Sequence, residues 1–96
     1  MLNPARVANE FKAPGEKIDL GWDWSAWLTA HGSATISSVT AEISSGTATL
    51  ESGDSHDDTS SWFRISGATT GTVEVLTTAT LSDGQIVQGL HKVVIG

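Results

Sequence analysis

The sequence predicts an all-β fold, an immunoglobulin-like sandwich of two sheets, and three observations lead to this prediction. Six or seven short segments with the composition of strands follow one another every ~8 to 12 residues. Turns rich in Gly, Ser and Asp join them, and almost no stretch has the period of a helix. The chain of 96 residues is long enough for one domain with a thin core, so most strands should have one wet face. A small barrel is the alternative.

The segment from Lys17 to Leu28 holds three of the four tryptophans and organises the predicted core. Its first half alternates apolar and polar residues like a strand with one buried face. In its second half, Trp24, Trp27 and Leu28 are spaced three and four apart, as on one helical turn. We therefore expect a strand that runs into a single turn, with these three side chains in the core. Trp22, in the strand itself, is assigned to an interface.

The next two strands are predicted at residues 35–43 and 47–51. The apolar phase slips once in the first of them, because Ile36 falls on the face opposite Val39, and this slip predicts a bulge at Ser37-Ser38. Residues 52–59 are polar throughout and are predicted to form a loop. Aspartates and a histidine between Asp54 and Asp58 allow a metal site there, but their spacing matches no known loop and favours a solvated turn.

The last three strands are predicted at residues 61–66, 72–81 and 85–95. Inward positions in the first two add four side chains to the predicted core: Phe63, Ile65, Val73 and Val75. Asp83-Gly84 predicts a hairpin in which both residues have positive φ. The final strand has no clean face. The end of this strand is continuously apolar, which predicts either that both of its faces are covered or that its outer face contacts another chain.

Residues 1–15 are predicted to be an extended N-terminal arm, separate from a sandwich at residues 16–96. The arm contains both prolines and lacks a lasting period. Leu2, Val7 and Phe11 are apolar although they cannot share one helical face, so the arm either lies on its own domain or docks on a neighbour. We assign these three residues to an interface.

Trp62 and Arg64 lie on the pleat face opposite the predicted core side chains and are also assigned to an interface. A carbohydrate-binding sandwich is an alternative function, because aromatic rings can stack on sugars. Such a module needs two or three exposed rings in line. Three of the four tryptophans crowd one turn instead, which favours a protein partner.

Charge and composition exclude several functions. Eleven acidic and five basic residues give a net charge of −6, which argues against nucleic acid and anionic membranes as partners. No apolar run approaches ~20 residues and the first 15 residues lack the core of a signal peptide, so a cytoplasmic product is expected. The chain has no cysteine and no motif for a nucleophile, a phosphate loop or a dinucleotide. We expect no enzyme activity and no cofactor.

The stretch Lys-Ala-Pro-Gly-Glu-Lys-Ile-Asp-Leu-Gly-Trp-Asp-Trp-Ser-Ala-Trp-Leu at residues 12–28 resembles the fiber-tail adaptor proteins of tailed bacteriophages. The resemblance continues through the strand and Ser-Gly turn at residues 62–72 to residue 95, and Asp23 to Trp27 is its most specific part. It implies a non-enzymatic sandwich bound in multiple copies to other virion structural proteins at a neck, tail or fiber junction. The protein would reside in the virion, and in the host cytoplasm during assembly. A capsid decoration protein is an alternative with the same fold.

Overall fold

The computed structural model describes residues 6–68 and 70–96, so Leu2 lies outside the described residues. Its elements, in chain order, are β1 (Val7–Lys12), β2 (Ile18–Asp23), α1 (Ser25–Ala30), β3 (Ile36–Ser45), β4 (Thr49–His56), β5 (Ser60–Ser66), β6 (Gly71–Leu81) and β7 (Ile86–Ile95).

The strands form two sheets, one with the order β1-β7-β6-β3 and the other with the order β2-β5-β4. β1 and β7 are parallel, whereas the other strand pairs of the described residues are antiparallel. The predicted all-β sandwich is therefore confirmed. Strands β6 and β7 are central in their sheet, and β6 shows the alternation of buried and outward side chains that the sequence predicts for it.

The core between the sheets consists of two apolar clusters. The cluster next to α1 contains Trp24, Leu28, Ile36, Val39, Ala79, Leu81 and Val87. The cluster at the other end contains Phe63, Ile65, Val73, Val75, Val93 and Ile95. Six of the seven predicted core residues thus lie in these clusters, while Trp27 is half-buried at the margin of the first and stacks on His31. Burial of these large side chains contributes most of the stability of the sandwich.

The helical turn after β2 is stabilised by hydrogen bonds to its first residues. The side chain of Asp23 accepts a bond from the amide of Ser25, and the amide of Trp24 donates to the carbonyl of Thr59. The amide of Leu28 then bonds to the carbonyl of Trp24, which closes the helical turn. The indole of Trp24 thereby points between the sheets, where its Nε1 donates to Ser61 Oγ at 2.9 Å.

The bulge predicted in β3 is confirmed, because the pairing of β3 with β6 shifts register between Ile36 and Ser38. This shift brings both Ile36 and Val39 inward, although their spacing would place them on opposite faces of a regular strand.

The loop predicted at residues 52–59 is wrong, because β4 continues to His56. The pairing of β4 with β5 shifts register twice, between Leu50 and Ser52 and between Ser52 and Ser55. Because of these shifts, the polar stretch can pair with β5 although its side chains do not alternate regularly between the two faces of the sheet. A methyl group on Gly53 would lie 3.0 Å from the carbonyl oxygen of Ala41 in β3, so the glycine allows the two sheets to approach at this edge.

The hairpin between β6 and β7 is present, but only Gly84 has a positive φ, of 93°. The amide of Gly84 bonds to the carbonyl of Leu81, and the amide of Leu81 bonds to the carbonyl of Gln85. This is a longer hairpin loop, in which a turn is followed by one left-handed glycine, so the expectation of two residues with positive φ is wrong.

β7 has one clean buried face, contrary to the sequence prediction. Val87, Gly89, His91, Val93 and Ile95 point inward along its whole length. The glycine and the histidine at inward positions hide this period in the sequence. Its outer face is open to solvent in the single chain, where Val94 is 47% exposed.

Residues 7–12 of the predicted arm form β1 and pair with residues 90–95 of β7. The segment is extended, as its composition predicts, and it pairs with β7 of its own domain. Lys12 at the end of β1 is fully buried, and its Nζ donates to the carbonyl oxygens of Gly67, Ala13 and Pro14 at 2.7, 3.0 and 3.3 Å. These bonds tie β1 to the turn that precedes β6.

Candidate interaction surfaces

Trp62 is the centre of one exposed surface, on the outer face of the three-stranded sheet. It is 39% exposed and pairs with Gly21 of β2 on one side and Ser55 of β4 on the other. A methyl group on Gly21 would lie 3.0 Å from Cβ of Trp62 and 2.3 Å from the carbonyl oxygen of Ser61, so only glycine fits beside the indole. The two small neighbours leave the ring free to contact a partner.

A bidentate ion pair lies beside this ring. The guanidinium of Arg64 donates from Nε and Nη2 to the two carboxylate oxygens of Asp19, at 2.7 and 3.1 Å. The bond from Arg64 lowers the pKa of Asp19, and the same carboxylate raises the pKa of Arg64. Asp19, Trp62 and Arg64 together are called the Trp62 surface below, an aromatic ring bordered by a fixed charge pair.

A second exposed surface lies on the outer face of the four-stranded sheet. Val7 and Phe11 of β1 are 41% and 64% exposed, and they pair with Leu90 and Val94 of β7. These four side chains form two short apolar rows across the strands, and Leu76 of β6 continues the row of Leu90. We call Val7, Phe11, Leu90 and Val94 the β1 surface. The sequence analysis named the apolar end of β7 as a possible contact with another chain but assigned neither Leu90 nor Val94 to the interface.

Trp22 does not lie on either surface, although the sequence analysis assigned it to an interface. Its ring points between the sheets, 5.7 Å from the ring of Trp24 and 4.6 Å from that of His91. A methyl group on Gly89 would lie 2.5 Å from this indole, so the glycine in β7 makes the room it occupies. The period-two pattern of β2 already placed Trp22 on the same face as Ile18 and Leu20, which was the better guide.

A polar layer separates the two apolar clusters. His91 is buried between the rings of Trp22 and Phe63, with centroid distances of 4.6 and 5.1 Å. Trp22 Nε1, Thr77 Oγ1 and His91 Nδ1 are buried without a hydrogen-bond partner among the described residues. Burial lowers the pKa of His91, although the charge of Glu10 and the carbonyl of Gly21 act in the opposite direction.

We expect the depressed pKa of His91 to make the fold less stable below about pH 6.5, the ordinary histidine pKa that applies to the unfolded chain. The unfolded state takes up a proton there while the folded state stays neutral, so the free energy of unfolding falls with pH until the pKa of the folded state is reached. Urea denaturation between about pH 7.5 and about pH 5.5 measures this slope. His91→Leu should flatten it, because it removes the group whose pKa is lowered by burial. An equal slope in wild type and His91→Leu would contradict this assignment.

Within residues 6–68 and 70–96, no cluster of three His, Asp or Glu side chains is arranged to hold a metal ion. Within the acidic stretch between Asp54 and Asp58, the side chain of Asp57 serves an ordinary turn. Its carboxylate accepts hydrogen bonds from the backbone amides of Thr59 and Ser60. None of the helices in the described part of the chain has the length and apolar character needed to cross a membrane.

The four tryptophans do not form a row of exposed rings. Trp24 is buried, Trp22 and Trp27 are half-buried, and Trp62 is the exposed member of the set. A sugar-binding face built from aligned rings is therefore not favoured.

The fold defines a small immunoglobulin-like sandwich, with one exposed surface on the outer face of each sheet. A family profile described as podophage GP4 fiber-tail adaptor protein gp77 matches residues 12–93, so the chain belongs to this family of phage adaptor proteins. Among solved structures, the PKD domain from the KIAA 1837 protein is similar, with a TM-score of 0.60 and 18% identity over 97% of this chain and 82% of that one. At this identity the likeness shows the fold. No curated protein matches the chain.

Proposed function

We propose that this chain is a non-enzymatic adaptor of the phage virion, which joins head or tail components at the neck to tail fibers and is present in several copies. Membership of the fiber-tail adaptor family supports association with other phage structural proteins and a place in the virion. The structural observation that carries the proposal is the presence of two exposed surfaces on the two opposite outer faces of one sandwich.

The position of the two surfaces suits a connecting role. The Trp62 surface lies on the outer face of one sheet, and the β1 surface lies on the outer face of the other. Because the sheets pack back to back, a partner on one surface does not obstruct a partner on the other. One copy can therefore contact two neighbours at once, which an adaptor requires.

The titratable groups fit a structural role better than a catalytic one. The carboxylates with a lowered pKa are held by ordinary partners: Asp19 by Arg64, Asp23 by Ser25, Glu51 by Ser66, and Asp83 by Gln85. Each group is solvent-exposed in a turn or an ion pair, and none is poised as an acid or base at neutral pH. We propose on this ground that the protein does not catalyse a reaction.

We place the assembled protein at the neck or tail of the virion, and the newly made chain in the host cytoplasm during assembly. The family supports the virion, and the net charge of −6 suits contact with proteins rather than with DNA.

The test is incorporation into virions. Particles made with Trp62→Ala in place of the wild-type chain are expected to carry less of the protein or fewer fibers, since an exposed indole at a protein contact commonly dominates binding. Ile86→Ala is the matched control, because Ile86 is an exposed apolar residue, at 64%, outside both surfaces. Mass spectrometry of purified virions and electron microscopy of the tail measure the outcome. A chain absent from wild-type virions, or normal fibers with Trp62→Ala, would contradict the proposal.

A further inference from the structure

We propose that β1 pairs with β1 of a second copy of this chain, antiparallel and centred on Asn9, so that two four-stranded sheets join into one sheet of eight strands. The proposal concerns the purified chain alone and does not depend on the adaptor function. It rests on the free edge of β1, on the side chains beside that edge and on their charges.

The backbone of β1 has one unpaired side. The carbonyls of Arg6 and Lys12 accept bonds from the amides of Leu90 and Gly96, and in a parallel ladder every second residue bonds to the same partner. The intervening residues, Val7, Asn9 and Phe11, therefore direct their amides and carbonyls away from β7. β1 is the outermost of the described strands of its sheet, so within residues 6–68 and 70–96 these groups form an edge that no other strand pairs with.

The other sheet edges among the described strands are obstructed. β3 and β4 contact each other, and each is interrupted by two register shifts. β2 presents Asp19 and Asp23 on its outer face. Such bulges and charges are the usual protection against pairing with another chain. Within residues 7–12, no register shift and no proline interrupts the pairing of β1 with β7.

The side chains of β1 are self-complementary about Asn9. A two-fold axis at Asn9 places Val7 opposite Phe11 of the second copy, and Phe11 opposite Val7 of the second copy. Since Leu90 and Val94 extend these positions onto β7, each apolar row would run without a break through Leu90, Val7, and then Phe11 and Val94 of the second copy. The exposed part of Phe11, 64% of the side chain, would thereby acquire an apolar neighbour across the join.

Of the charged side chains beside the join, one like-charged pair would face each other, Arg6 and Lys12 of the second copy, and both are held by partners in their own chain. The central row places the two Asn9 side chains together, and each flanking Lys92 already lies opposite Glu74 of its own β6. Inward charges on an edge strand usually prevent pairing, but Lys12 is bound by three carbonyls of its own chain. The guanidinium of Arg6 lies 4.9 Å from the ring of Trp24 and donates to the carbonyl of Gln88, so it is held away from Lys12 of the second copy. Glu10 of the second copy, opposite Ala8, would be the diagonal neighbour of Arg6 and would offset the like charge.

The first experiment measures self-association of the purified chain by sedimentation, with variants that separate the edge from the rest of the surface. We expect a dimer. Asn9→Pro removes an amide that faces the free edge, so it should leave the ladder with β7 intact and raise the dimer dissociation constant roughly tenfold or more. Phe11→Lys should do the same, whereas Ile86→Lys, at an equally exposed residue of 64%, should leave it unchanged.

The second experiment tests the register with a single cysteine, since the wild-type chain has none. Paired Asn9 residues would have Cα atoms about 5.5 Å apart, which a disulfide spans, so Asn9→Cys should form a covalent dimer under mild oxidation. Ile86→Cys is the control and should stay monomeric. A wild-type chain that is monomeric at every concentration, a dimer unaffected by Asn9→Pro and Phe11→Lys, or equal cross-linking of both cysteine variants would overturn the proposal.

Discussion

Replacing Trp24 with alanine is expected to lower the free energy of unfolding by ~3–5 kcal/mol, because a buried indole leaves both a transfer loss and a cavity. Trp24 is 1% exposed and belongs to the cluster next to α1. The variant also leaves Ser61 Oγ without its bond from the indole and removes the ring beneath the guanidinium of Arg6. With a total stability of ~5–15 kcal/mol for a domain of this kind, the variant approaches complete unfolding.

Urea denaturation monitored by circular dichroism measures this effect, and two variants calibrate it. Trp27 is half-buried and stacks on His31 at the surface, although the sequence places it in the core, so Trp27→Ala should lower the free energy of unfolding by less than about 2 kcal/mol. Trp62→Ala, at an exposed indole, should change stability by less than about 1 kcal/mol. A cost for Trp24→Ala no greater than that for Trp62→Ala would show that Trp24 does not support the core.

Replacing Lys12 with methionine is expected to destabilise the fold by about 2–3 kcal/mol. Methionine keeps the apolar stem of the side chain but removes the ammonium that bonds to the carbonyls of Gly67, Ala13 and Pro14. Hydrogen bonds to a charged group are the strong ones, and the methionine that replaces the fully buried Lys12 has no donor to make them.

Lys92→Met is the matched control, because Lys92 is an exposed lysine on the outer face of β7 and should have little effect. Amide exchange locates the loss, which should be concentrated in β1 and in the turn at Gly67. If Lys12→Met were as stable as the wild type, the cost of burying the ammonium would equal the strength of its three bonds.

The elements that could be predicted from the sequence are those in which local pattern and burial agree. β6 alternates between buried and outward side chains from Thr72 to Leu81, and the slip between Ile36 and Val39 located the bulge in β3. The stretch from Asp23 to Leu28 indicated a turn because its polar residues and its apolar spacing pointed to the same structure.

The elements that were mispredicted depend on contacts between distant parts of the chain. The end of β4 has no apolar period, and it is a strand because β5 is there to pair with it. Gly89 obscures the alternation of apolar and polar residues in β7, because a glycine gives no sign that its position faces inward. The inward position requires a glycine because Trp22 of the other sheet occupies the space above it. Lys12 gave no signal at all, since the carbonyl of Gly67 that it binds is 55 residues away.

The surfaces could be predicted in part. Val7, Phe11, Trp62 and Arg64 are exposed, as an interface requires, and their role stays a prediction. Which of them share a surface could not be inferred, because that depends on the order of the strands. The parallel pairing of β1 with β7 joins residues more than 80 positions apart in the chain and creates the β1 surface.

The parallel pairing of β1 and β7 also determines how the sandwich responds to tension. A force that pulls Val7 away from Ile95 acts along both strands in opposite directions, because the first residue of one strand and the last residue of the other lie at opposite ends of the pair. Every hydrogen bond between the two strands is then sheared at the same moment, whereas in an antiparallel terminal pair the bonds would open one after another from one end. The two strands would have to slide past each other as a unit before either could leave the sheet. A particle component stretched along this axis would therefore yield abruptly and at high force, rather than gradually.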